Sequence, residues 1–180
     1  MTTNGGYRSS AEDTGVTERV VKISRVAKVV KGGRHLSFSA VVVVGDNEGQ
    51  VGIGMGKADA VPDAVKKGSV KARKGMISVP LKGNSIPHEV TAKYGAAEVM
   101  MRPATAGTGV IAGGSVRAVV ELAGIKDIVT KARRSTNPVN TTKAAFKALS
   151  MLRDPETELA ARKHLVDNPP PKRQSQVGPQ

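Results

Sequence analysis

The stretch Leu36–Gly45 constrains the fold of this chain more than any other. It begins by alternating, with Leu36, Phe38 and Ala40 set against Ser37 and Ser39, and it ends in four consecutive valines. β-Branched residues are stiff at χ1 and suit a pleated surface. A run that passes from alternating to wholly apolar belongs to a deeply covered strand, so Leu36–Gly45 is expected to be the central, most buried strand of a sheet. Its flanks agree. Lys31-Gly32-Gly33-Arg34 reads as a hairpin turn, because paired glycines supply positive φ angles. Before it, Val20–Val30 is rich in β-branched residues and interrupted by Lys22, Arg25 and Lys28, which predicts a strand with one wet, basic face. After it, Asp46-Asn47-Glu48-Gly49 reads as a turn and Gln50–Gly56 as a third strand. Pro62 then suits a first helical position. Ala64, Gly68 and Ala72 recur every four residues beside Val61 and Val65, while Lys66, Lys67, Lys71, Arg73 and Lys74 take the solvent side. The first unit, 17–83, is thus predicted to be β-β-β-α.

Gly75–Asn84 reads as a connector with a little strand character. Beyond it, Ile86–Tyr94 and Ala97–Arg102 are expected strands, and Thr105–Gly114 is a glycine-rich loop. Ser115–Ala123 reads as a helix with Val116, Val119, Val120 and Ala123 on one side, and Ile125–Arg133 as a strand. Asn137–Leu152 reads as a helix capped by Asn137, with Pro138 in its first turn; Ala145, Leu149 and Leu152 repeat at helical spacing. This gives a second α/β unit over 84–153. The extension 1–16 is polar and expected to be disordered. The segment 154–180 is expected to hold a short helix, Glu156–Leu165, and a flexible Pro-rich tail. The class is therefore α+β, in two small domains.

Charge narrows the function. The 180 residues carry 28 Lys/Arg against 15 Asp/Glu, a formal net charge of +13. The excess lies where the apolar periodicity lies: residues 17–82 hold 13 Lys/Arg against 5 Asp/Glu, and residues 83–153 hold 10 against 4. It therefore belongs to folded surfaces. Such surfaces repel themselves unless a polyanion neutralises them, which points to nucleic acid. Aromatics are few, two Tyr and two Phe with no Trp, so stacking of single strands on rings is a poor fit. RNA gripped through phosphate, sugar and shape is the better one. The chain has no cysteine, which removes disulfides and thiolate metal sites. Its longest apolar run, Ala40–Val44, is too short to span a bilayer, and its N-terminus lacks the apolar core of a signal peptide. A soluble, cytoplasmic protein without a membrane partner or self-association is expected.

Enzymatic motifs fail on inspection. Gly52-Ile53-Gly54-Met55-Gly56-Lys57 has the look of a phosphate loop, but Val51 stands where glycine is required and Ala58 where Ser or Thr is required. The alternative is a strand whose glycines let a helix or an RNA backbone come close. Gly107-Thr108-Gly109-Val110-Ile111-Ala112 fits the dinucleotide pattern, with Asp127 at the expected distance, yet Asp127 precedes its strand where the ribose-binding acid should end it. Exposed amides at the start of the following helix remain a candidate anion or partner site. His35, His88 and His164 lack metal-ligand spacing, and no acid–base constellation stands out. No enzyme, cofactor or metal is expected. The candidate RNA contacts are Lys22, Arg25, Lys28, Lys31, Gly32, Gly33 and Arg34 around the hairpin. Lys57 on the third strand and Lys66, Lys71, Arg73 and Lys74 on the helix complete the set.

The order of motifs resembles that of the bacterial small-subunit ribosomal protein five family. The resemblance rests on Val29-Val30-Lys31-Gly32-Gly33-Arg34, Phe38-Ser39-Ala40, Val43-Val44-Gly45-Asp46 and Val51-Gly52-Ile53-Gly54-Met55-Gly56-Lys57-Ala58. It continues through Val61-Pro62, Lys71-Ala72-Arg73, Gly107 to Gly114, Arg117-Ala118-Val119 and Ser135-Thr136-Asn137-Pro138, covering about Val20 to Leu152. Ile53 and Met55 depart from it, standing where aromatics are expected. The resemblance implies a first domain like a double-stranded-RNA-binding fold and a second, two-layer α/β domain with a left-handed βαβ crossover. It implies a structural constituent of the small ribosomal subunit that binds ribosomal RNA, joins head and body and contributes to translational accuracy. It implies contacts with ribosomal proteins four and eight, nearness to the messenger RNA entry path, and a protein-four interface at Gly107, Gly109 and Arg117. Arg117 reads as an isolated cation suited to one specific ion pair. A free-standing double-stranded-RNA-binding regulator and a small nucleotide-dependent enzyme are the competing classes.

Overall fold

The computed structural model describes residues 15–167, with side chains placed to residue 163. Of the extension 1–16 expected to be disordered, residues 1–14 lie outside that range, as do the tail after 167 and the side chain of His164, whereas Val16 is partly buried against the first core.

Three long strands, β1 (Thr17–Val30), β2 (Gly33–Gly45) and β3 (Gln50–Ala58), form an antiparallel meander, and a short β4 (Ile77–Ser78) adds to the far edge at Gln50 and Val51. The expected connector thus supplies a fourth strand. Helix α1 (Val61–Lys74) lies on one face, with Pro62 in its first turn. The sheet is covered on both sides, which explains the unbroken valine run. Ala40, Val42 and Val44 pack with Ala64, Val65 and Ala72 beneath α1, whereas Val43 points the opposite way into the core of the second unit. Val42, Val43 and Val44 are wholly buried, each contributing about 2 kcal/mol through area removed from water.

The glycines of β3 set the distance to α1. A β-carbon on Gly52, Gly54 or Gly56 would overlap the main-chain oxygen of Ala72, Gly68 or Ala64 respectively. The alternating glycines form a strip on which the small-residue face of the helix rests at backbone contact. Of the close approaches that the pattern allowed, a helix occupies this one.

The second unit is a four-stranded sheet in the order β5-β6-β8-β7, from β5 (Val90–Tyr94), β6 (Ala97–Pro103), β7 (Val110–Ile111) and β8 (Ile128–Arg134). Helices α2 (Gly114–Leu122) and α3 (Pro138–Ser150) accompany it, and α4 (Pro155–Asp167) follows. β7 pairs in parallel with β8, and α2 connects them. β7 is the strand hidden in the glycine-rich loop. Two expected strands are shorter than predicted. β5 begins at Val90 because Pro87 interrupts the ladder, although Ile86 is buried in the core all the same. β8 begins at Ile128 because 124–127 form the turn from α2, with Ile125 also buried. Asn137 caps α3 as expected, its Oδ1 accepting from the amide of Val139 at 3.2 Å.

The units meet where the β2–β3 turn touches the end of α2. The amide of Asn47 donates to the carbonyl of Leu122 at 3.1 Å. A β-carbon on Gly45 would overlap Leu122, and one on Gly124 would overlap Asn47. Gly124 also has φ +84°, a conformation that side chains with a β-carbon resist.

Candidate RNA interface

The β1–β2 hairpin outruns the sheet. β2 pairs with β3 only from Phe38 onward, while its pairing with β1 continues to Val30↔Gly33. Five residue pairs therefore stand free as a two-stranded ribbon, projecting about 17 Å at strand rise. Lys31 and Gly32 form its tip, and Gly32 has φ +94°.

The cations of the ribbon are not on one face, which corrects the expected single basic face of β1. Lys22, Arg25 and Lys28 are three apart, whereas strand side chains alternate every two. Lys22 lies in the row of Val41 and Met55 and Lys28 opposite His35, both on the face away from α1. Arg25 lies in the row of Phe38 and Ala58, and Arg34 opposite Val29, both on the α1 face. Lys57 joins the first set through Ser39 and Ser24. The ribbon thus presents positive charge to both sides and at its tip, and all of these cations are exposed.

On α1, Lys66, Lys67, Lys71 and Lys74 are exposed as expected. Arg73 differs. Its Nη2 meets the carboxylate of Glu18 at 2.9 Å, and that carboxylate also accepts from the Ser69 hydroxyl at 2.6 Å. The Glu18 side chain is only 7% exposed. Arg73 therefore neutralises a nearly buried acid and ties α1 to β1. The sequence hid this, because Glu18 is 55 residues away.

The glycine-rich loop of the second unit is closed by its own acid. Asp127, itself buried, accepts through Oδ1 from the amides of Gly107 at 3.0 Å and Gly109 at 2.9 Å. These two amides are therefore already satisfied from within the chain, and a strand, not a helix, follows Gly109. The spacing that suggested a nucleotide site is the spacing of this internal cap.

Arg117 is not isolated. Its guanidinium donates to the carbonyl of Val110 at 2.9 Å and lies 3.8 Å from Glu121, one helical turn on. Glu121 also pairs with Arg19 of β1, so it links the two units as well as Arg117. Gly107, Gly113 and Gly114 remain exposed around this loop.

Sequence reasoning missed one basic group. On the flank formed by β5 and α3, Lys143 lies 4.9 Å above the ring of Tyr94 and 3.2 Å from its hydroxyl. Lys147 reaches the carbonyl of Lys93 at 3.4 Å. The helical spacing of the two lysines was visible, but their partners on β5 were not. Among the described residues no three His, Asp or Glu side chains gather as metal ligands do, and no helix is long and apolar enough to cross a membrane.

Comparison with known proteins agrees with this architecture. Residues 16–80 match the family described as "Ribosomal protein S5, N-terminal domain", and residues 92–163 match "Ribosomal protein S5, C-terminal domain". The chain is similar to the small ribosomal subunit protein uS5 of Chloroflexus aurantiacus, 56% identical over 159 residues, covering 88% of this chain and 89% of that one. It is equally similar to the protein of the same name from Rubrobacter xylanophilus, 56% identical over 150 residues, covering 82% and 75%.

Proposed function

The chain belongs to the ribosomal protein S5 family, and from that premise we infer that its basic surfaces bind the RNA of the small ribosomal subunit. It is a structural, non-enzymatic ribosomal protein, and its place is the ribosome in the cytoplasm. The observation that supports RNA contact is the free ribbon. Lys22, Arg25, Lys28, Lys31 and Arg34 radiate from it, and no acid lies between Lys22 and Gly45. Gly32 and Gly33 keep its tip slim enough to enter a crevice between RNA segments. Lys57, Lys66, Lys71 and Lys74 extend the contact. Arg73 contributes field, while its hydrogen bonds go to Glu18. The ribbon would join head and body of the subunit, near the messenger RNA entry path. Gly107, Gly109 and Arg117 form the surface for ribosomal protein four, and ribosomal protein eight is a further neighbour.

Sedimentation tests this reading. The protein should travel with small subunits in moderately high salt, and the logarithm of its RNA affinity should fall steeply with the logarithm of salt concentration. A protein that stays near the top of the gradient, or a flat salt plot, would refute it and favour a free-standing regulator. Two further expectations concern the subunit. By the family resemblance this loop reaches toward the head, close to where spectinomycin acts, so enlarging Gly32 should alter sensitivity to that drug. If, as the family resemblance implies, the contact with ribosomal protein four stabilises only the open subunit, Gly109→Arg and Arg117→Leu should shift the population to the closed state and raise stop-codon readthrough. Open space surrounds a β-carbon at Gly109, so Gly109→Arg should fold, at a strain of about 1–2 kcal/mol for its φ of +75°. Readthrough at wild-type level in both variants would rule out a restraining role for this surface.

A further inference from the structure

At the free edge of β3, a cleft opens between the sheet and the start of α3. Its floor is apolar: Val41, Ile53, Met55 and Val139. Its rim is basic: Lys71 reaches in from α1 and Lys143 from α3. Gly54 and Thr142 complete the lining, which contains no acid. The cleft is half open to solvent and its volume is about 190 Å³, below the range of roughly 300–1,000 Å³ typical of sites for whole small molecules.

Two observations select an occupant. Met55 is 42% exposed at the open edge of the sheet, with buried Val41 beside it on β2 and, among the described residues, no strand on its other side. It is a flexible, polarisable surface that invites a flat partner. Lys143 is held at the rim by the ring and hydroxyl of Tyr94, so one cation is fixed before any ligand arrives. An apolar slot of this size between two fixed-sign charges fits an unpaired nucleobase whose flanking phosphates meet the lysines. Bases turned out of a helix are commonly held by stacking on a flat ring or guanidinium beside neutralised phosphates; here the apolar face of Met55 and Ile53 takes the place of the ring.

We propose that this cleft receives a single unstacked nucleotide of small-subunit ribosomal RNA, with its base against Met55 and Ile53 and its phosphates between Lys71 and Lys143. The proposal rests on the RNA-binding reading above and adds to it a base-level contact, independent of the ribbon. Position 55 then governs how firmly the base is held, and Lys71 serves this cleft as well as the outer face of α1.

The test is chemical probing of small subunits reconstituted with the full chain, comparing wild type, Met55→Glu, Met55→Trp and the pair Lys71→Ala with Lys143→Ala. One nucleotide protected by the wild-type protein should become about fivefold or more reactive with Met55→Glu and with the double variant. Met55→Trp, which offers a broader face, should keep it protected. The remaining footprint should not change with Met55→Glu or Met55→Trp, whereas the double lysine variant, which also removes Lys71 from the outer face of α1, should weaken it. A complete footprint in which no single nucleotide responds to Met55→Glu overturns the cleft assignment and leaves the RNA-binding reading intact. Detachment of a neighbouring protein in place of a change at one base also overturns it. A wild-type chain with no footprint on small-subunit RNA defeats the wider reading. Because Met55 is exposed, unchanged thermal unfolding of Met55→Glu will show that the variant is folded.

Discussion

At position 54 an added methyl group meets the main-chain oxygen of Gly68 and the amide nitrogen of Ala72, and neither can rotate away as a side chain would. Gly54→Val should therefore lift α1 from the sheet and cost about 3 kcal/mol or more, measured as a fall in the denaturant midpoint. A midpoint within experimental error of wild type would mean that the helix does not rest on this strip. The charged residues of α1 separate in the same kind of measurement. Lys66→Ala touches no partner and should change stability by less than about 0.5 kcal/mol. Arg73→Ala leaves Glu18 nearly buried without its counter-ion and should cost about 1–2 kcal/mol, discounted because Arg73 is itself 40% exposed. Equal effects for the two variants would show that the Glu18 contact contributes nothing. The sequence displayed both side chains as members of one basic face. Only the fold, by bringing residue 18 beneath residue 73, divides them.

Among the elements, the ribbon offers the plainest dissection. Replacing Lys28 or Arg34 by Ala should weaken RNA binding and lower the slope of its salt dependence by about one for each phosphate left without its cation. The two lie on opposite faces, so replacing both should lower it by about two. A slope that changes for only one of them would mean that the ribbon lies flat against the RNA. Much of this element was legible beforehand. Gly-Gly between two β-branched runs announces a hairpin, and the missing acids announce its use. The division of its cations between faces was legible as well, because positions 22, 25 and 28 fall on alternate sides of any strand; what remained hidden was the bulge between Val20 and Lys22. Short elements were hidden for another reason. β7 has two residues, too few to show any period, and it exists because β8 offers it a parallel partner. The loop around Gly107 has the spacing of a nucleotide site, and the sequence already spoke against one because Asp127 precedes its strand; what it did not show is that the acid caps the loop itself.

At the scale of the whole molecule, the two family regions share one core. Val43 and Val51 of the first unit sit in the same cluster as Val119, Ala145 and Leu149 of the second. Thermal unfolding should accordingly be a single cooperative transition, with near- and far-ultraviolet signals coincident. Gly124→Val, which drives the end of α2 away from Asn47, should split or broaden it. Arg19→Ala, which removes only the ion pair with Glu121, should shift the midpoint slightly and keep one transition. Two transitions in the wild type would contradict a shared core. This union was the least legible feature of all. The unbroken valine run showed that something covers both faces of β2, but nothing in the run says that the second cover is made by residues 119–149.

That shared strand has a consequence during synthesis. A ribosome making this chain releases β1 to β4 and α1 well before α2 and α3, so the first sheet can close over Ala40, Val42 and Val44 while Val43 and Ile53 still face water. At about 5–20 residues per second, the missing cover is some 4–14 seconds of translation away. For that interval the nascent chain displays a greasy face beside a strongly cationic one, a combination that adheres to nucleic acid and to other unfinished chains alike. The protein is therefore most vulnerable to aggregation when half made, and codons that slow elongation between residues 80 and 150 should lower its soluble yield without changing a single amino acid.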